Sequence, residues 1–356
     1  MKSNAKSTKL KILVTGGAGF IGSAVIRHLI NDTNHSVVNV DKLTYAGNLE
    51  NLASLKEDKR HVFIKGDICD SSLIISLFAK FKPRAIINFA AESHVDRSIE
   101  SPRQFIETNI IGTFNLLNSA LNVYRKNKNQ ADYFFKFHHI STDEVYGDLG
   151  DSKQLFEEYS SYNPSSPYAA SKASSDHLVR SWGRTYNFPY VITNCSNNYG
   201  PYQFPEKLIP NTIIKALTGN DISVYGDGSQ IRDWLYVDDH IKAIMRVALE
   251  ANDAESYNIG GYNEIKNIDV VNAICKILDS KVTNKPNSLA SFKDLIRYVP
   301  DRPGHDTRYA INAEKITNDL NWMPDEDFES GIIKTVQWYI DNQDWWENIL
   351  NNAHQS

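Results

Sequence analysis

Short, β-branched apolar runs alternate with segments of helical length through the first 195 residues of this chain, and few folds accept that alternation. Leu10–Thr15, Ser36–Asp41, His61–Lys65, Arg84–Phe89, Phe134–Ser141 and Pro189–Cys195 have the length and composition of buried strands. Between them, Ile21–Ile30, Ser72–Phe81, Gln104–Tyr124 and Ala169–Asn187 carry apolar residues at helical recurrence. Strand and helix in turn predict an α/β protein with a parallel sheet covered on both faces. The polar run 126–130 is expected as a surface loop. After Asn197 the rhythm breaks: Gly200, Pro201, Pro205, Pro210, Gly219, Gly226 and Gly228 mark a loop-rich region. Residues 1–199 are therefore expected to form the first domain, and 200–356 a smaller second lobe with some segments packing back. Helical stretches return at Val237–Glu250, Ile268–Leu278 and Glu329–Asn342.

The first strand runs into Thr15-Gly16-Gly17-Ala18-Gly19-Phe20-Ile21-Gly22. Gly16, Gly19 and Gly22 allow a tight turn, close backbone approach to a pyrophosphate, and close packing of helix on strand. The pyrophosphate then meets the positive N-terminus of the helix. A bare glycine pattern is weak evidence, but here a strand precedes it and a helix follows. Asp41 ends the second strand 19 residues beyond Gly22, where a carboxylate accepts ribose hydroxyls and repels a 2′-phosphate. That context predicts a Rossmann-type doubly wound domain with a preference for NAD, tempered by the neighbouring Lys42. Asp67 is placed either to meet an adenine amino group or to cap the following helix.

Two further constellations carry reactive groups. In Tyr168-Ala169-Ala170-Ser171-Lys172 the phenol and ammonium share a helix face. Tyr124/Lys128 and Tyr262/Lys266 repeat the spacing, but only Tyr168/Lys172 opens a helix just beyond a sheet strand, where open α/β sheets bind ligands. An ammonium at ~4 Å in an effective dielectric of ~20 favours the phenolate by about 4 kcal/mol, although burial opposes it. The expectation is a phenol lowered toward neutrality and poised as a general base. The second constellation, Ser141-Thr142-Asp143-Glu144-Val145-Tyr146-Gly147, lies at the carboxyl end of a strand. Adjacent acids are often solvated loop charges. Held beside one substrate, their pKa values separate into a neutral acid and an ionised base, the pairing an elimination needs.

Composition removes other classes. The net charge of −5 argues against a broad nucleic-acid or membrane-surface footprint. Three scattered cysteines suit a reducing compartment rather than a disulfide framework or zinc cluster, and no metal-ligand spacing occurs. His94 and His139 are expected as ordinary hydrogen-bonded histidines. No apolar run approaches a membrane span, and the run after the polar N-terminus is too short for a signal peptide, so a cytoplasmic protein is expected.

Together these residues resemble the extended short-chain dehydrogenase/reductase superfamily, and within it the chain is similar to the dTDP-glucose 4,6-dehydratases. The likeness runs from the glycine loop to about Arg308. It includes Asp41-Lys42-Leu43-Thr44-Tyr45-Ala46-Gly47-Asn48 and Ala90-Ala91-Glu92-Ser93-His94-Val95-Asp96-Arg97-Ser98. Ser196-Asn197-Asn198-Tyr199-Gly200-Pro201-Tyr202 and Asp301-Arg302-Pro303-Gly304-His305 extend it. The glycine loop and Tyr-x-x-x-Lys mark only the superfamily. Thr142-Asp143-Glu144 discriminates, because related 4-epimerases carry small or hydroxylated residues at the two acidic positions.

The resemblance implies NAD as cofactor and dTDP-glucose as substrate. Tyr168 takes the 4-hydroxyl proton as hydride leaves C4, Thr142 hydrogen-bonds that oxygen, and Lys172 supports the phenol and anchors the nicotinamide ribose. Glu144 then removes the C5 proton and neutral Asp143 protonates the departing C6 hydroxyl; hydride returns to C6, leaving a 4-keto-6-deoxy sugar. It also implies cofactor contacts at Phe20, Ile21, Leu43, Thr44 and Ile68, beside the glycines, Asp41, Lys42 and Asp67. Further cofactor neighbours are Phe89, Ala90, Ala91, Ser93, Thr108 and Asn198. Substrate contacts fall to Ser93, Thr142, Asn197, Lys207, Leu208 and Tyr225, and to Arg232, Asn267, Asp301, Arg302 and His305. Arg232 suits a pyrophosphate bidentately and Tyr225 a stacked base. A homodimer through 104–124 and 169–187 is implied, although the apolar residues there serve equally as core. The remaining alternatives are a UDP-glucose 4,6-dehydratase, a 4-epimerase, a decarboxylase, or a non-catalytic NAD-binding protein.

Overall fold

The computed structural model describes residues 9–131 and 133–353, so most of the polar N-terminal stretch lies outside the described residues. The first six strands are β1 (Lys11–Thr15), β2 (Ser36–Asp41), β3 (His61–Lys65), β4 (Ala85–Asn88), β5 (Lys136–Thr142) and β6 (Tyr190–Cys195). Then come β7 (Asn197–Tyr199), β8 (Ile222–Tyr225), β9 (Ile231–Tyr236), β10 (Glu255–Ile259), β11 (Glu264–Lys266) and β12 (Ile296–Val299). A parallel sheet runs β3-β2-β1-β4-β5-β6-β10. Its first six strands follow the doubly wound order, with the crossover reversing between β1 and β4. β1, β2, β4, β5 and β6 are almost wholly buried because helices cover both faces, which is why β1, β2 and β4 are mainly apolar and do not alternate, whereas β5 carries buried polar residues such as His138, His139 and Ser141.

The first helices are α1 (Phe20–Asp32), α2 (Ser71–Phe81), α3 (Val95–Glu100), α4 (Pro102–Phe105), α5 (Thr113–Asn127) and α6 (Pro167–Tyr186). α7 (Leu208–Leu217), α8 (Val237–Glu250), α9 (Asn267–Lys281), α10 (Glu314–Leu320), α11 (Phe328–Asp341) and α12 (Gln343–Ala353) complete them. One sheet face packs Val14, Val25, Leu29 and Ile87 against Ile241 and Ile244 of α8; the other packs Leu13, Val38 and Ile86 against Leu116, Leu117 and Val179. Thus α8 and β10, which follow the loop-rich region, belong to the first sheet's layers. A separate core joins Tyr199, Trp234, Ile274, Phe292 and Val336 around the small β11-β9-β7 and β12-β8 sheets. None of the described helices is long and apolar enough to cross a membrane.

Two expectations from periodicity require correction. The segment expected as one helix over 104–124 contains a π-helical stretch, Ile106–Gly112. The wider turn brings Asn109 inward, where its side chain accepts from the Glu92 amide (2.9 Å) and donates to the Glu92 carbonyl (3.0 Å) and Ser171 Oγ (2.8 Å). The run 126–130 is only partly loop, because α5 continues through Asn127.

Candidate active site

The carboxyl ends of β1, β4, β5 and β6 open onto one cleft, at the reversal point where doubly wound sheets bind ligands. Its first wall is the glycine loop. Gly16 adopts φ +70°, and a Cβ there would lie 2.6 Å from the Ala90 amide nitrogen, so the loop after β1 touches the one after β4. A Cβ on Gly22 would meet the Gly16 carbonyl oxygen at 2.3 Å. α1 begins with no side-chain cap and no acid in its first turn, and Phe20, Ile21 and Gly22 line the cleft. Its first amide groups therefore face the cleft without a side-chain acceptor, as a pyrophosphate site requires.

Asp41 closes β2 with Oδ2 accepting from Ala18 N (2.9 Å) and Oδ1 from Leu43 N (2.8 Å), which fixes the loop carrying Thr44. Lys42 is tied to Asp67 at 2.7 Å, so the cation that tempered the NAD preference has its own counter-charge. Asp67 also accepts from Cys69 N; the helix cap is Asp70, which accepts from Leu73 N, so of the two roles open for Asp67 the cap is excluded. Ile68, the Phe89–Ser93 run, Thr108 and Asn198 line the same cleft. Asn198 is held by His240 Nδ1 at 2.8 Å and by donation to the Ser196 carbonyl at 2.9 Å.

β5 delivers Thr142, Asp143 and Glu144 to the cleft, and α6 delivers Tyr168 and Lys172. Asp143 is 2% exposed, and its Oδ2 is buried without a partner. Burial pushes this carboxyl well above the usual carboxylate range, and the charges of Glu144 and Asp233 push the same way. Burial also raises Glu144, but Arg232, Lys207 and Arg302 oppose the rise with three positive charges. Both carboxyls are raised, Asp143 well above the usual range and Glu144 against the pull of three cations, so of the two Asp143 is the better placed to keep its proton.

The phenol departs from expectation. Burial and then the nearby Glu144 charge drive Tyr168 well above the ordinary phenol value, opposed by a hydrogen bond from Thr142. Lys172 is not what tunes it: its Nζ donates to the Ile140 carbonyl at 2.6 Å. In the protein alone, desolvation and like charge outweigh the ammonium. Cys195, its thiol pushed up to about 12 by burial, is a neutral part of the wall.

The expected substrate residues divide into two groups. Ser93, Asn197 and Lys207 line the cleft, with Lys207 Nζ 3.2 Å from the Ser93 carbonyl and Asn197 Oδ1 buried without a partner. Arg232 and Arg302 reach it electrostatically through Glu144. Arg232 is 5% exposed, donates to the Ile231 and Asp306 carbonyls, and lies 4.3 Å over the Tyr309 ring; Arg302 pairs with Asp96 at 3.0 Å. Tyr225, Asn267, Asp301 and His305 do not line this cleft. They gather around Gln230, which donates to Asp301 (3.1 Å) and accepts at its carbonyl from Asn267 N (3.0 Å). His305 bonds Asp301 at 2.6 Å, edge-on to Tyr225. Leu208 is a correction: its side chain packs on the second core because it opens the apolar face of α7.

Glu206 went unrecognised in the sequence. It lines the cleft, accepts from Tyr45 (3.1 Å), and lies near His94 and Arg97. A lone acid after a proline carries no pattern, so only the fold reveals it. His94 and His139 are hydrogen-bonded to protein groups, as expected. No group of residues suited to hold a metal occurs among the described residues.

Residues 13–335 match the family model for GDP-mannose 4,6 dehydratase. The chain is 58% identical over 345 residues to dTDP-glucose 4,6-dehydratase of Neisseria meningitidis serogroup B, covering 97% of each. Among solved structures, it resembles a dTDP-glucose 4,6-dehydratase of Streptomyces venezuelae with NAD and TYD bound. That match has TM-score 0.86 and 41% identity, and covers 96% of this chain and 100% of that one. A Bacillus anthracis dTDP-glucose 4,6-dehydratase in complex with NAD gives TM-score 0.83 at 42% identity, covering 96% and 99%. A near-full-length match on both counts, around a cleft that holds Thr142-Asp143-Glu144 against Tyr168 and Lys172, leads to one assignment: the chain belongs to the dTDP-glucose 4,6-dehydratase family of the extended short-chain dehydrogenase/reductases.

Proposed function

We propose that this chain is an NAD-dependent hydro-lyase that converts dTDP-glucose to dTDP-4-keto-6-deoxyglucose and water. The observation that carries the reading is one cleft lined by two adjacent carboxyls, a buried Asp143 with an unpartnered Oδ2 and a Glu144 faced by three cations, together with Tyr168 and Lys172. NAD fits the first wall: the uncapped start of α1 receives the pyrophosphate, Asp41 the adenosine ribose, and Lys172 with Tyr168 the nicotinamide ribose. Bound there, it supplies a hydride acceptor that becomes the donor later in the same turnover.

The chain's own groups handle the protons. Tyr168 Oη, as phenolate once the positive charge of the bound oxidised nicotinamide counters the burial that raises it, accepts the proton of the sugar 4-hydroxyl, with Thr142 Oγ1 bonded beside it. The C4 ketone acidifies C5–H, and Glu144 takes that proton. Asp143 gives its proton to the C6 hydroxyl, which departs as water. Return of a proton to C5 completes the product. Arg232, Arg302 and Lys207 hold the diphosphate side of the substrate while offsetting Glu144. Residues 1–199 are the cofactor domain in this reading and 200–356 mainly the substrate lobe. A homodimer through 104–124 and 169–187 is supported by Ile106 and Ile111 in the π-helical stretch and Phe114 at the start of α5, exposed at 51, 47 and 39%.

Mass spectrometry of the product from dTDP-glucose and, separately, UDP-glucose, each with NAD, tests the function. Loss of one water from dTDP-glucose without net NADH is expected. Water loss from UDP-glucose alone changes the nucleotide, and no water loss from either sugar removes the acid and base roles of Asp143 and Glu144.

A further inference from the structure

Tyr168, Lys172, Asp176 and Arg180 recur every four residues along one face of α6. The first two belong to the proposed chemistry, and the third has no role in it. Asp176 is 0% exposed, and burial raises its carboxyl, opposed by the charges of Lys172 and Arg180 and by its hydrogen bonds, so it stays ionised only with those partners. Its Oδ2 accepts from Ser141 Oγ (2.8 Å) and Tyr162 OH (2.9 Å), with Asn194 Nδ2 at 3.4 Å. His139 Nε2 is 3.4 Å from its other oxygen. Arg180 donates to the same Tyr162 hydroxyl at 2.9 Å, so it reaches Asp176 through the phenol.

These partners converge on the two elements that carry the reacting groups. Ser141 precedes Thr142 on β5, and Asn194 donates to the Thr142 carbonyl at 3.1 Å. Lys172, one helical turn before Asp176, is 4% exposed and bonds the Ile140 carbonyl, the residue preceding Ser141. A buried ammonium loses its proton readily unless an anion stands nearby. The other groups facing Lys172 supply none: His139 on β5 is held neutral by burial, and the Cys195 thiol on β6 is pushed up to about 12. Tyr146, which also faces Asp176, is pushed well above an ordinary phenol by burial.

We propose that Asp176 is a positioning residue that keeps Lys172 charged and pins the helix bearing Tyr168 and Lys172 to the strand end bearing Thr142. It touches neither substrate nor cofactor. The proposal rests on the reading that Lys172 anchors the cofactor, so its test includes that reading. In the holoenzyme, exchange of bound NAD for labelled NAD is followed across neutral to alkaline pH. Loss of the Lys172 charge appears as a limb of faster exchange at high pH. Asp176→Asn is expected to move that limb down by about one to two pH units, roughly tenfold or more faster exchange between the two limbs. Asp176→Glu, which retains the charge, is expected to keep the limb near its original pH.

An Asp176→Asn limb that stays in place, with or without uniformly faster exchange, would show a merely structural role and overturn the proposal. If that variant does not fold, Asp176→Glu decides: a limb moved down as far despite the retained charge refutes the proposal, and a limb that stays supports it. A limb that survives Lys172→Met refutes the assignment of Lys172 to the cofactor, and the proposal with it. That outcome is distinct from a limb that vanishes in Lys172→Met but ignores Asp176.

Discussion

The two walls of the cleft are made of different material. The cofactor wall is largely backbone: a glycine loop against the Phe89–Ala90 backbone, free amide groups at the start of α1, and an Asp41 carboxylate committed to two amides. The wall that faces the sugar is made of side-chain charge from distant segments, with Glu144 balanced against Lys207, Arg232 and Arg302 and set beside a neutral Asp143. A backbone wall is sensitive to added volume and tolerant of lost charge. A charge wall is the reverse, because each member sets the protonation of the others.

The largest test of that contrast removes one carboxyl at a time from the charge wall. Asp143→Asn is expected to slow water loss by 10²–10⁴ while leaving oxidation at C4 far less affected, as rapid-quench sampling of the sugar would show. Oxidation impaired to the same degree would break the distinction between acid and base. Glu144→Gln is expected to suppress solvent deuterium uptake at C5 by a similar factor. Uptake that continued would place the base elsewhere.

Next in size is added volume on the backbone wall. Gly22→Ala places a Cβ 2.3 Å from the Gly16 oxygen and 2.9 Å from the Gly17 Cα, neither of which can rotate away. A loss of about 1–3 kcal/mol is expected, read as a lower melting temperature together with a lower NAD content of the purified protein. An unchanged NAD content would show that this wall yields more than its geometry suggests.

The carboxyl proposed as the acid should weaken the fold as pH rises. Asp143 keeps its proton in the folded protein above the ordinary carboxylate range, whereas the unfolded chain releases it near 4. Folding therefore binds a proton in that window, and stability falls with rising pH, by at most about 1.4 kcal/mol per unit from this group. Asp143→Asn removes the titration, so its melting temperature is expected to gain on the parent as pH rises from 4 toward neutral. A constant difference would mean that Asp143 ionises at its ordinary pH.

The smallest effect belongs to a charge on the backbone wall. Lys42→Ala removes a partly exposed ion pair with Asp67 and is expected to change stability by about 1 kcal/mol or less. A larger loss of NAD content than in Gly22→Ala would reverse the contrast between the walls.

The backbone wall was largely legible in the sequence. Its turn needs glycine at set positions, and the strands around it need unbroken apolar runs, so both leave local marks. Asp143 and Glu144 were visible as neighbours of expected unequal acidity, but that Lys207, Arg232 and Arg302 would face Glu144 was not, since they come from three remote segments. Tyr168 and Lys172 show the limit most directly. Their spacing was correct, yet the direction of the phenol's shift reversed, because burial and the Glu144 charge beside it are properties of the assembled cleft. The π-helical stretch at Ile106–Gly112 hid in an ordinary helical pattern, since one widened turn scarcely alters apolar recurrence. Asp176 is the single acid on α6, yet it left no trace, since its partners come from β5, β6 and Tyr162 rather than from a local pattern.

The seventh strand of the main sheet has a consequence for how the chain is made. β10 pairs with β6 through Glu255–Ile259, and just before it Lys136, a buried cation at the start of β5, finds its partners, the Ala251 carbonyl and Asp253. During synthesis the first six strands therefore emerge with β6 as a bare edge and an uncompensated lysine beneath it. They must wait for more than fifty further residues before either is satisfied. The nascent nucleotide-binding half is a pairing-competent sheet margin for all of that interval. Completion of the main sheet is tied to a segment that lies beyond the loop-rich region, so a chain ending after β6 would present an edge that seeks another strand.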